Sequence, residues 1–183
     1  MDLAVLQIIG RQFQEAEETL LASLDFTTFD NPVIACNLAF LFEAQDRLYD
    51  AAMAIATLWR GPVGPENESL DDALQRRDTC AYITGMGGLI YGRMGLTNEA
   101  SQFVELLLTG KAKDPLTTSS VEVAIGLIGL GQYDDATNWL RRAAMEEDDP
   151  MAMWFHIFPP LRHLQRHDGF KELLQSLGLQ RDR

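Results

Sequence analysis

At 183 residues, with 46% hydrophobic and 23% charged side chains, the chain is long enough for one sizeable core and is neither fibrous nor disordered in composition. Its formal net charge of −12, from 27 acidic against 15 basic residues, argues against a nucleic-acid surface, because phosphates require a basic footprint. No apolar run approaches the roughly 20 residues that span a bilayer, and MDLAVLQIIGRQFQEAEE lacks the basic start and small-residue cleavage site of a signal peptide, so a cytoplasmic protein without a membrane span is expected.

Apolar residues recur at three- and four-residue spacing along nearly the whole chain, and alternating strand patterns are absent, which predicts an all-α fold. Taken in order, GRQFQEAEETLLASL, AQDRLYDAAMAIATL, GRMGLTNEASQFVELL and GLGQYDDATNWLRRAA align on Ala16, Ala51, Ala100 and Ala136. Each is a short polar turn, an acidic residue, the alanine and then an amphipathic helix. The acid before the alanine is Glu15, Asp50, Glu99 or Asp135, suited to the first turn of a helix, where the macrodipole is positive. The alanines are 35, 49 and 36 residues apart. Two of these spacings are close to a helix–turn–helix repeat of about 34 residues. The long one has a local cause: RGPVGPENESLDD predicts a loop over residues 60–68, then a helix entered through Ser69-x-x-Asp72, a capping-box pattern, and continuing through LDDALQRRDTCAYITGMGGLIYGRM.

These segments resemble the tetratricopeptide repeat, in which small residues let paired helices approach closely. The segment from Thr117 carries Ala124, Leu127, Gly131, Ala136, Leu140, Ala143 and Pro150, and that from Ala81 carries Gly88, Tyr91, Gly95, Ala100, Val104, Leu107 and Pro115. The segment from Pro32 carries Ala39, Phe42, Ala51, Ile55 and Leu58, with Asp46 in place of the turn glycine, and a shortened first unit surrounds Gly10 and Ala16. The tail is similar to the closing segment of bacterial tetratricopeptide proteins and regulators at Asp149-Pro150, Pro159, Leu164, Phe170, Leu173-Leu174 and Leu177-Gly178-Leu179, and departs from it at Gln165 and Asp168. The resemblance implies one right-handed α-solenoid domain over residues 1–183, with repeats near 1–31, 32–65, 69–115 and 117–150 and a cap over 151–179.

Candidate chemistry is sparse. His163 and His167 would share a helix face, but Leu164 stands where a metalloprotease helix has glutamate, and Arg162 and Arg166 would repel a cation, so no metal is expected. The acids Glu146–Asp149 and the pairs Asp71-Asp72 and Asp134-Asp135 sit at helix ends without calcium-loop spacing and read as solvated termini. GMGGLIYGRMG follows a helical pattern and not a strand, which makes it a packing surface and not a phosphate loop. Cys36 and Cys80 have neither CxxC spacing nor a nearby histidine. No catalytic, cofactor-binding or metal residue is assigned, and no enzyme is expected.

The informative feature is the first helix of each repeat. PVIACNLAFLFEA and SSVEVAIGLIGLG are apolar nearly all round, whereas a helix serving only a core has one polar face. In the resembling family these helices line a concave face, which would place Val33, Cys36 and Phe40 there in one unit, Tyr82, Leu89 and Arg93 in the next, and Val121, Ile125 and Ile128 in the third, with Glu43 and Arg93 as polar rim. The set lacks the lysine, arginine and asparagine clamp that some relatives use on a peptide carboxylate. The expected function is therefore a protein-interaction module or adaptor whose groove holds an apolar peptide or helix, with basic flanks favoured by the acidic charge. Of the excess charge, −9 falls within residues 1–80. The alternatives are a sensory, regulatory or dimerisation domain of a larger bacterial regulator, a homodimer being compatible with either reading, and a small acidic secretion-type chaperone. If the groove is open, charge at Phe40, Leu89 or Ile125 abolishes binding and spares the fold; if the chain's own helices fill it, the same changes unfold the domain.

Overall fold

The computed structural model describes residues 3–23, 32–59, 82–113 and 118–179, and every regular element among the described residues is helical. The loop expected over 60–68, the helix start at Ser69 and Cys80 lie outside the described residues. The chain divides into two compact units, residues 1–83 and 84–183.

The first unit holds α1 (Leu3–Ile9), α2 (Phe13–Ala22), α3 (Pro32–Ala44) and α4 (Leu48–Trp59). Helix α1 packs on α2, α3 on α4, and α3 also meets α1 and α2. The spacing of apolar residues selects the buried faces: Ala4 and Ile8 of α1, Ala16 and Leu20 of α2, and Ala51 and Ile55 of α4 are each four apart and buried, while Glu15, Glu18, Tyr49 and Asp50 remain outside.

The second unit holds α5 (Ile83–Arg93), which begins at the unit boundary, α6 (Thr97–Lys113), α7 (Ser120–Gly129) and α8 (Tyr133–Met145). Two 3₁₀ turns, Pro150–Trp154 and Pro159–Leu164, lead to α9 (Asp168–Ser176). Helices α5 and α7 meet along glycines. A Cβ at Gly88 would sit 2.8 Å from Gly126 Cα, and Cβ atoms at Gly92 and Gly129 would run into the backbone of the opposite helix. GMGGLIYGRMG is thus a helix-packing surface, as its pattern suggests. The same helix packs on α6 through Tyr91 and Phe103, whose ring centroids are 5.4 Å apart.

Helix α8 buries Ala136, Leu140 and Ala143 and turns Asp134, Asp135, Asn138 and Arg141 outward. The tail then covers both helices of this pair: the first 3₁₀ turn and α9 pack on α8, and the second 3₁₀ turn packs on α7. Phe155, Leu161, Leu164, Phe170 and Leu173 enter the core, whereas Lys171, Glu172 and Gln175 of α9 face water. Helix α9 is thus apolar on the side that packs on α8 and polar on the other.

The clearest regularity is the turn between paired helices. Arg11, Asp46, Gly95 and Gly131 each stand five residues before one of the four aligned alanines, and each adopts left-handed φ, at 59°, 65°, 81° and 72°. The next residue donates its N–H to the carbonyl five residues back: Gln12 to Gln7 (2.8 Å), Arg47 to Phe42 (2.8 Å), Leu96 to Tyr91 (2.9 Å) and Gln132 to Leu127 (3.0 Å). Each left-handed residue donates three back, from Arg11 to Ile8, Asp46 to Glu43, Gly95 to Gly92 and Gly131 to Ile128. This is the Schellman arrangement that satisfies carbonyls at a helix end. Ala16, Ala51, Ala100 and Ala136 are all fully buried, and Glu15, Asp50, Glu99 and Asp135 lie in the first turn of their helices. In the first unit the left-handed residue is Arg11, which follows Gly10.

Candidate functional site

Most of the side chains expected to line a concave groove are interior. Cys36, Phe40 and Glu43 on α3 are buried in the first unit, as are Leu89 on α5 and Val121, Ile125 and Ile128 on α7 in the second. Tyr82 and Arg93 are half-buried, and the side chain of Val33 lies outside those described. The reason is coverage by the chain itself. Helix α3 is enclosed by α1, α2 and α4, and α7 by α6, α8, the close glycine contact with α5 and the second 3₁₀ turn of the tail. Apolar residues all round a helix can mean a docking face or burial on every side. Burial on every side accounts for α7 in this conformation.

Polar chemistry in the second unit gathers where α6 ends, α7 begins and α8 closes. Lys111, only 6% exposed, pairs with Glu147 at 2.9 Å. Ser120 Oγ donates to the same carboxylate at 2.9 Å, and Arg142 approaches it at 3.2 Å. Burial pushes the Glu147 carboxyl up, but bonds from Lys111 and Ser120, with the charges of Lys111 and Arg142, bring it below the ordinary carboxylate value. Asp149 accepts from the Met151 N–H (2.9 Å), capping the first 3₁₀ turn at Pro150, and from Ser119 Oγ (3.1 Å). The acids of Glu146–Asp149 are therefore not uniformly solvated: two of them pin the tail to α6 and α7. Sequence spacing could not reveal this, since Lys111 lies 36 residues before Glu147.

The two histidines do not share a helix face. His163 belongs to the second 3₁₀ turn, and His167 is the residue that precedes α9. His167 Nε2 lies 3.1 Å from Asp134 Oδ1 and its Nδ1 lies 3.4 Å from Thr137 Oγ1, which ties the tail to the first turn of α8.

An accessible concavity of about 390 Å³ opens beside the end of α8. Ala144, Ala152, Met153, Leu177 and Leu179 form its apolar wall, and Asp148 and Asp149 its acidic edge. Asp148 is exposed and held at φ 50°, in the left-handed region. None of these residues was singled out as a site from the sequence, because they come from two separated stretches, 144–153 and 177–179, and none has distinctive chemistry. No protein-family model, curated protein or solved structure matches this chain.

Proposed function

We infer that the chain is a non-enzymatic protein-interaction module built from tetratricopeptide-like helical hairpins. The observation that carries this reading is the fourfold recurrence of one turn: a left-handed residue, two carbonyls satisfied behind it, an acid in the next helical turn and a buried alanine. Hairpins of this kind stack through neighbour contacts and offer extended surfaces to other polypeptides. The chemistry on those surfaces is that of recognition: apolar concavity, acidic edge and a net charge of −12 favour a partner segment with apolar anchors and basic flanks.

Affinity capture with the full chain, followed by titration of each captured polypeptide in purified form, tests this. A saturable polypeptide partner is the expected result. A small metabolite retained instead, seen by native mass spectrometry, or product formation by the purified chain would overturn it.

A further inference from the structure

The buried groove positions leave open where a partner would dock, and the concavity at the end of α8 answers on three physical grounds. It is accessible in the folded unit, whereas Phe40, Leu89 and Ile125 are not. Its size suits one or two large apolar side chains, and Ala144, Ala152, Met153, Leu177 and Leu179 give its lining an apolar part. Another part is negative: Asp148 is exposed, Asp149 adjoins it, and the C-terminal end of α8 adds the negative pole of its dipole. An anionic edge next to an apolar pocket rejects an acidic segment and favours a cationic one.

We propose that this concavity is the docking site of a partner polypeptide that inserts an apolar side chain against Met153, Leu177 and Leu179 while a flanking lysine or arginine meets Asp148. The proposal rests on the interaction-module reading and specifies its site and partner chemistry. Met153, 66% exposed on the first 3₁₀ turn, supplies a flexible thioether suited to packing on an incoming side chain of uncertain shape. Asp149 stays engaged with Met151 and Ser119, so its part is to hold the edge in place while Asp148 makes the contact.

The test uses the full ¹⁵N-labelled chain and two synthetic peptides, acetyl-Gly-Lys-Leu-Arg-Gly-amide and acetyl-Gly-Glu-Leu-Glu-Gly-amide, titrated at low salt. The basic peptide should shift the amide signals of Ala144, Asp148, Met153, Leu177 and Leu179, and the acidic one should not. Asp148→Gly, which removes the charge while suiting the left-handed backbone, should weaken the basic peptide about threefold, in line with an exposed ion pair. Ala152→Trp, which fills the pocket, should abolish the shifts, with its own melting curve reporting that it folds. Equal shifts from both peptides, or none at millimolar concentration, would overturn the proposal. Saturable shifts confined to other surfaces would overturn this site while leaving the interaction-module reading intact.

Discussion

The turns of the first unit and those of the second follow the same hydrogen-bond path but fill its left-handed position differently. The first unit places Arg11 and Asp46 there, and the second places Gly95 and Gly131. A residue with a Cβ pays roughly 1–2 kcal/mol for this conformation, although aspartate pays less because its short side chain tolerates it. The geometry is therefore set by helix pairing around the buried alanine, since it forms whether or not glycine is present. The second unit spends its glycines elsewhere as well: Gly88, Gly92, Gly126 and Gly129 let α5 and α7 touch, while α3 of the first unit contains no glycine.

The largest expected effects come from charge inside either unit. Phe40→Asp in the first and Leu89→Asp in the second each bury a carboxylate in an apolar site, and each should cost about 4 kcal/mol or more, read as loss of the cooperative urea transition. Next comes the glycine contact. Gly92→Ala drives a methyl group into the Gly129 backbone and should destabilise by about 3 kcal/mol. Gly10→Ala, whose Cβ would meet nothing closer than the Leu6 carbonyl at 3.4 Å, should change stability by under about 1 kcal/mol.

The turns themselves give smaller effects, opposite in sign between the two units. Gly95→Ala has open space for its methyl but keeps φ at 81°, so it should lose about 1 kcal/mol in denaturant melts. Arg11→Gly should gain up to about 1 kcal/mol, and Asp46→Gly less. If both left-handed sites respond to glycine as Gly95 responds to alanine, with loss, the four turns are not equivalent.

The electrostatic effects are also small. Glu147 has its folded pKa depressed below the ordinary 4.5, so its bonds to Lys111 and Ser120 contribute fully above that value and are lost as pH falls through the folded pKa. The contribution is about 1 kcal/mol, and Glu147→Gln should remove this acid-side slope from the stability of the second unit. The counterpart in the first unit, Arg47 with Asp50 and Glu17, is more exposed. Replacing Arg47 with glutamine should cost well under about 1 kcal/mol.

Much of the local fold was legible in the sequence. Apolar periodicity gave the helices, and the acid–alanine pair marked each turn to the residue, because both depend on neighbours three to five positions apart. The left-handed role of Arg11 was hidden because an arginine carries no sign of positive φ. The site was less legible for a physical reason: an apolar α7 looks the same whether it faces a partner or is covered by the tail, and only the packing of the second 3₁₀ turn against it decides. The concavity beside α8 depends on Ala144, Met153 and Leu179 converging from separate segments, which periodicity does not record.

The most direct test of this account is the thermal melt of Ile125→Asp in the full chain, followed by far-UV circular dichroism. Ile125 is fully buried on α7, so the expected result is loss of helicity and of the cooperative transition of the second unit. Helicity and midpoint equal to those of the parent chain would contradict it, and would show that Ile125 faces an open groove.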